Sequence, residues 1–191
     1  MAHKNNTALL VIGGSAGSLA VVLKIIPLLE KDWNLSVIII FHRKASEETT
    51  LAEMLSTRTA FNVKEADDKD ELVPGTIYLA PPDYHVLIER EQVITLDDSE
   101  KVNFSRPSID VTFESAAQIY GNKLTCILLS GANADGVEGL KIARSRGAFI
   151  IVQDPACAEI PYMPKEAVNN VAIDFLLTDQ NFEVLKNILN R

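Results

Sequence analysis

Three residues, far apart in the chain, have the types and settings that acyl-transfer chemistry requires: Ser15, His42 and Asp135. Ser15 stands in Gly13-Gly14-Ser15-Ala16-Gly17, which has the form G-x-S-x-G and follows the apolar run ALLVI (8–12). In that pattern the glycines permit a sharp strand-to-helix turn that presents the serine hydroxyl at the strand's carboxyl end. The helix start behind it supplies free N–H groups able to stabilise an oxyanion. Dinucleotide and phosphate folds keep their glycine loop in the same place, and a plain turn fits there too, so the loop alone leaves three readings open. The dinucleotide reading lacks both G-x-G-x-x-G and an acid at the end of the next strand, which runs Phe41-His42-Arg43-Lys44. A 2′-phosphate would suit those basic residues, and this keeps a nucleotide-binding Rossmann-like domain as an alternative.

His42 follows the second apolar run, SVIII (36–40). With strands one and two side by side in a parallel sheet, their carboxyl ends meet at the crevice where open α/β sheets bind ligands, and His42 comes near Ser15. A neutral imidazole there can take the serine proton and return it to a leaving group. A histidine satisfied by a loop carbonyl is the competing account. Asp135 lies in LLSGANADGVEGL (128–140), between a strand and a helix. If that strand lies beside the first, the carboxylate can accept a hydrogen bond from His42 and fix its tautomer. Capping the helix that follows is the alternative role, and compatible with the first. The order Ser, His, Asp differs from the α/β-hydrolase order, and the elbow follows the first strand, so the ordinary esterase fold is disfavoured. His85 is expected to be structural or a rim contact, and His3 to lie in the terminus. The histidines lack metal-ligand spacing and no cysteine pair joins them, so no zinc site is expected, and serine-histidine-aspartate chemistry requires neither a metal nor an organic cofactor.

Positioning these residues is the task of the elements between them. Strand-length apolar runs recur at ALLVI (8–12), SVIII (36–40), TIYLA (76–80), LTCILL (124–129), AFIIV (148–152) and AIDFLL (172–177). Several lack alternation, as strands buried on both faces do. Amphipathic stretches separate them. One carries Leu19, Val22, Leu23, Ile26 and Leu29 on a single face, with Pro27 inside to kink or shorten it. A second starts near Ser46 as N-cap, with Glu47 and Glu48 in its first turn, and buries Leu51, Met54 and Leu55. Pro107 begins a third, closed by Gly121; Gly136 to Arg146 is a fourth, closed by Gly147; and Phe182, Leu185, Ile188 and Leu189 stripe the last. Between Pro74 and Leu96 the texture suggests a β-hairpin turning at Glu89 to Gln92, an antiparallel piece on the otherwise parallel sheet. The acidic stretch Glu65 to Glu71 reads as a solvated loop. The expected fold is therefore α/β, a doubly wound, mostly parallel, Rossmann-like sheet with helices on both faces and one antiparallel hairpin.

Composition narrows the partners. The 191 residues, 47% hydrophobic and 23% charged, make one soluble globular domain over 1–191 and exclude a disordered chain. A net charge of −8, with no long basic run, disfavours nucleic acid. No segment suits a signal peptide or membrane span, so neither export nor membrane insertion is expected. Cys126 sits in the apolar LTCILL and Cys157 elsewhere; two thiols make no disulfide framework, and a reducing cytoplasm fits.

Six ordered blocks, VIGGSAGS, FHRK, KEADDKDELVPGTIYLAPPDYH, NFSRPSIDVTFESAA, ILLSGANADGVEGL and VQDPACAEIPYMPKEAV, together resemble the catalytic domain of the CheB-type protein-glutamate methylesterases, the chemotaxis receptor methylesterases. The resemblance spans nearly the whole chain. It implies a Ser15, His42 and Asp135 triad that hydrolyses glutamyl methyl esters, and deamidates glutamines, on the cytoplasmic helices of methyl-accepting receptors. On this reading the N–H groups of the Ala16, Gly17 and Ala132 loops face the oxyanion, and an exposed Arg43, with Lys44, guides an acidic helix inward, solubilising loop charge being the alternative role for that basic pair. The chain departs from the family where threonine and two glycines usually follow the serine (here Ala16, Gly17, Ser18) and where T-G-M-G is usual (here Ser130-Gly131-Ala132-Asn133). It departs again where methionine and proline usually follow the histidine. An inactive receptor-docking module is thus a further alternative. The family's receiver domain is not expected within this chain, which leaves a stand-alone enzyme, a fragment, or control by a separate regulatory protein.

Overall fold

The computed structural model describes residues 8–43 and 48–190. Nine strands and six α-helices alternate along it: β1 (Ala8–Gly14), α1 (Leu19–Ile25), β2 (Leu35–Phe41), α2 (Glu48–Ser56), β3 (Asn62–Glu65), β4 (Thr76–Leu79), β5 (His85–Glu89), β6 (Val93–Asp97), α3 (Ile109–Tyr120), β7 (Leu124–Leu128), α4 (Val137–Ser145), β8 (Phe149–Gln153), α5 (Tyr162–Asn170), β9 (Phe175–Leu177) and α6 (Phe182–Leu189). Seven of the strands form one parallel sheet in the order β3-β4-β2-β1-β7-β8-β9. From β1 the chain first winds outward through β2 to β4 and β3, then crosses back to lay β7 on the other side of β1. The order reverses there, and such a reversal opens a crevice at the strands' carboxyl ends.

Burial on both faces explains the unbroken apolar runs. Leu9 to Ile12 are all inaccessible to solvent. Leu9 and Val11 pack toward Ile38, Ile40, Phe113 and Leu140, while Leu10 and Ile12 pack toward Val37, Ile39, Val22, Ile25 and Leu185. The period of two along each strand thus serves two separate cores, one under α3, α4 and α5 and one under α1, α2 and α6. Pro27 ends α1 at Ile25, after which Ile26–Leu28 tighten into a 3₁₀ turn. Cys126 is buried in the first core, where burial pushes its thiol well above the ordinary value. The Ser46 cap and the Glu47 contribution expected for α2, like His3 and Lys44, lie outside the described residues.

Three expectations need correction. The hairpin turns at Arg90–Gln92 as expected, but β5 and β6 form a sheet of their own instead of joining the parallel one. It is fastened to α3, where Thr112 Oγ1 donates to the Val86 carbonyl at 2.7 Å and Ser115 Oγ accepts from the Ile88 amide at 3.0 Å. The acidic stretch is solvent-exposed at Asp67, Asp68, Lys69 and Glu71, as expected of a solvated loop, but it is tied down: Glu65 ends β3, Ala66 is buried, and Lys69 and Asp70 exchange backbone hydrogen bonds with Ile94 of β6. Finally, Pro107 precedes its helix, which starts at Ile109 with Ser108 as N-cap.

Candidate active site

Register brings Ser15 and His42 to one place. Gly14 pairs with Phe41 at the ends of β1 and β2, so Ser15 and His42 are the first residues beyond two partnered strand ends. β7 lies on the other flank of β1, with Leu128 opposite Gly13, and its following loop carries Asp135 into the same crevice.

The serine turn is held by hydroxyls. Ser18 Oγ donates to the Ser15 carbonyl at 2.6 Å, closing the bend into α1. The Ser15 amide donates to the Ser130 carbonyl at 2.9 Å. Ser130, fully buried, donates from Oγ to the Ala16 carbonyl at 2.7 Å and accepts from the Ile160 amide at 2.9 Å. Gly17 has φ +80°, and a Cβ there would stand 2.6 Å from that of Glu159, so the turn needs glycine on both counts. Gly13 is constrained by packing alone, because a Cβ would meet the Ile109 side chain at the start of α3. Among the described residues none accepts a hydrogen bond from the Ala16, Gly17 or Ala132 amide.

Asp135 is fully buried, and its carboxylate is saturated with donors. Oδ2 accepts from His42 Nε2 at 2.7 Å and the Ile109 amide at 2.7 Å; Oδ1 accepts from Ser108 Oγ at 2.8 Å, the Asp110 amide at 3.1 Å and Asn103 Nδ2 at 3.3 Å. Burial alone would raise its pKa, but the hydrogen bond from His42, the Ile109 amide, the charge of His42 and the Ser108 hydroxyl outweigh that and hold it below the ordinary carboxylate value. The helix it caps is therefore α3, and not α4, which follows it in sequence. Asp110 returns the arrangement: its Oδ1 accepts from the Gly139 amide in the first turn of α4 at 2.6 Å. Each helix is thus capped by an acid from the start of the other. Burial pushes Asp110 up to about 6, with the Gly139 amide opposing and the Asp135 charge reinforcing the shift.

The structure joins His42 to Asp135 and sets Ser15 at the neighbouring strand end, but no hydrogen bond links Ser15 Oγ to His42. With Nε2 committed to Asp135, the His42 Nδ1 faces Ser105 Oγ at 3.5 Å. His85 is buried and structural, accepting at Nδ1 from the Ser108 amide at 3.1 Å and donating from Nε2 to the Glu100 carbonyl at 3.0 Å. Arg43 departs from expectation. Its side chain is only 5% exposed and ties the end of β2 to Glu65 and to the Ala80 carbonyl, so it is a staple between strand ends and not an exposed guide. Asn103, Ser105 and Ser130 lie within the family-like blocks, but nothing in their residue types or spacing marks them as site residues in the sequence. Among the described residues no group of His, Cys, Asp or Glu is arranged to hold a metal ion, and no helix is long and apolar enough to cross a membrane.

An open, doubly wound sheet with a serine elbow at its switch point and a buried carboxylate-histidine pair beside it has the layout of a serine-dependent hydrolase. Residues 10–183 match the CheB methylesterase family, and the chain belongs to it. A Leptospira interrogans protein, named provisionally as a protein-glutamate methylesterase/protein-glutamine glutaminase, is 39% identical over 173 residues, covering 91% of this chain and 90% of that protein. The Thermotoga maritima protein-glutamate methylesterase/protein-glutamine glutaminase is 31% identical over 172 residues, 88% of this chain but 50% of that longer protein. The crystal structure of the Thermotoga maritima CheB methylesterase catalytic domain superposes with a TM-score of 0.90 at 30% identity, covering 96% of this chain and 99% of that one.

Proposed function

We propose that this chain is a protein-glutamate methylesterase that hydrolyses γ-methyl esters of glutamate side chains on the cytoplasmic helices of chemotaxis receptors, and deamidates glutamines there. The observation that carries the reading is the 2.7 Å pairing of His42 with a buried Asp135 beside the elbow that presents Ser15. Ser15 Oγ attacks the ester carbonyl as His42 takes its proton through Nδ1, the nitrogen that Asp135 leaves free. The carbonyl oxygen, now anionic, turns to the unpartnered amides of Ala16 and Ala132, where one such donor is worth about 3 kcal/mol. His42 then hands the proton to the departing methoxide, and methanol leaves a glutamyl-serine ester. Water, deprotonated by the same imidazole, hydrolyses that ester and restores Ser15. Asp135 stays ionised throughout, holding the ring's tautomer. The Ser15 and His42 side chains close to hydrogen-bond distance when substrate fills the crevice, as catalytic contacts often do. The protein acts in the cytoplasm, where receptor helices carry their methylated glutamates.

Ser105 is the rival nucleophile, since its hydroxyl lies within reach of His42. Ser15 is preferred because a helix start with free amides stands behind it, whereas the amides at the start of α3, the helix after Ser105, are already given to His85 and Asp135. Methanol release from a methylated receptor decides between them. Ser15→Ala is expected to abolish release and Ser105→Ala to retain it; release by Ser15→Ala at the wild-type rate would overturn the mechanism.

A further inference from the structure

Val102 and Ser105 exchange both backbone hydrogen bonds, at 3.1 and 2.9 Å, across a two-residue turn. The residues between them, Asn103 and Phe104, have φ values of +50° and +62°. Two central residues in left-handed conformation are the geometry that ordinarily selects Asn-Gly. Asn103 suits the first place. Phe104 does not suit the second, since a bulky side chain at positive φ crowds its own backbone. Packing does not offset that strain, for Phe104 is 97% exposed, the most exposed large hydrophobic residue described. An aromatic ring held in water on a strained backbone contributes nothing to folding, and strain of this kind gathers where a ligand is gripped.

The turn is also anchored to the catalytic crevice. Asn103 Nδ2 donates to Asp110 Oδ2 at 2.7 Å and to Asp135 Oδ1 at 3.3 Å, and Ser105 Oγ accepts from Asn133 Nδ2 at 3.4 Å while facing His42. The backbone that carries Phe104 is therefore fixed, and the residue lines the wall of a cleft of about 290 Å³ that reaches His42. Lys101 and Arg106 flank it on that wall, with Asp83 the acidic side chain among them.

We propose that Phe104 is a specificity-determining residue that seats against the apolar face of the substrate helix and thereby selects which esterified glutamate reaches Ser15. This rests on the methylesterase reading above. A helix carrying glutamates beside apolar residues fits the wall, its acidic side chains meeting Lys101 and Arg106 and its apolar ones the ring. Residues three or four apart share a helix face, so the ring reads a neighbour one turn from the ester. Large aromatic rings in such positions commonly dominate recognition.

The test compares methanol release from a methylated receptor and from N-acetylglutamate γ-methyl ester. For Phe104→Ala the preference for receptor over small ester, as a ratio of kcat/KM, is expected to fall about tenfold or more, and Phe104→Trp to recover it. In a Ser15→Ala background, Phe104→Ala is expected to weaken titrated binding of the receptor by a similar factor. Thermal unfolding of Phe104→Ala is expected to match or exceed wild type, because the ring buries nothing. An unchanged ratio with unchanged binding overturns the proposal. So does concentration-dependent self-association that disappears in Phe104→Ala while the ratio holds, which would assign the ring to a second copy of the chain. Absence of wild-type release from both esters would instead refute the methylesterase reading, and this inference with it.

Discussion

Replacing Asp135 by Asn changes almost nothing in size, yet it should damage both activity and folding. One oxygen becomes an NH₂ group, and no orientation of the amide suits the site. Turned one way, the NH₂ meets the Ile109 amide and His42; turned the other, it meets the Asp110 amide, Ser108 and Asn103. Either way a backbone N–H at the start of α3 loses its acceptor in a fully buried setting. Hydrogen bonds to a charged group are worth about 1.5–3 kcal/mol, and a stranded buried donor is penalised by about 1–3 kcal/mol. Relief of repulsion on Asp110 offsets part of this, so a net loss of about 3 kcal/mol is expected. For a domain of this size that is a fall in melting temperature of about 10 °C. Turnover should fall by about 10⁴, since the histidine loses its tautomer. Urea unfolding followed through Trp33, buried and the single tryptophan, measures the stability, and methanol release measures the turnover. Ser15→Ala is the control: its hydroxyl has no hydrogen-bond partner among the described residues, so stability should stay within about 0.5 kcal/mol while turnover vanishes. An Asp135→Asn protein as stable as wild type would refute the capping role, whatever its activity.

Other expectations are as direct. Because Asp110 is raised to about 6, the folded protein keeps a proton that the unfolded chain loses near 3.8; this adds about 3 kcal/mol of stability below the lower value, lost as pH rises through the upper one. Urea midpoints of wild type and Asp110→Asn should therefore draw apart between acidic and neutral pH, and a constant difference would contradict the shift. Asp135 contributes with the opposite sign, stabilising above its unfolded value and less as pH falls through its lowered one. Ser130→Ala should free the Ala16 carbonyl and strand the Ile160 amide, lowering stability by about 2 kcal/mol and kcat about tenfold at similar KM, checked by melting and steady-state kinetics. Glu65→Gln should destabilise by about 1–2 kcal/mol, discounted because Glu65 is 33% exposed, by leaving a buried Arg43 without its counter-charge. Its receptor affinity should keep the wild-type salt dependence; a change would return Arg43 to a guiding role.

Local pattern made much of this legible. The both-face burial of β1, β2 and β7 is written in their unbroken Leu, Ile and Val runs, and Pro27 and Gly121 mark where α1 and α3 stop. Ser15 and Asp135 stand out in the sequence by their places at strand ends. What could not be read was partnership across the chain. Nothing in the residues after Leu128 says that Asp135 will cap a helix beginning at Ile109, since an acid before its own helix has the same local look. β3 leaves no apolar run in the sequence because an edge strand needs few apolar residues and has Val63 alone. The basic pair after His42 looks like loop charge until the fold lays Arg43 against Glu65, a contact set by the β2-β4-β3 order. Asn103 and Ser130 are ordinary polar loop residues until tertiary structure hands each a buried acceptor.

The exchange of acids between α3 and α4 bears on how the molecule breathes. First turns of helices ordinarily fray, because their leading amides have no partner within the helix. Here the first turn of either helix can loosen only by surrendering an acceptor to which the other is bound, so the two must open together or stay shut. Asp135, which holds His42, is one of the two latches, and the imidazole consequently hangs from a doubly locked joint while Phe104 stands just outside it in open water.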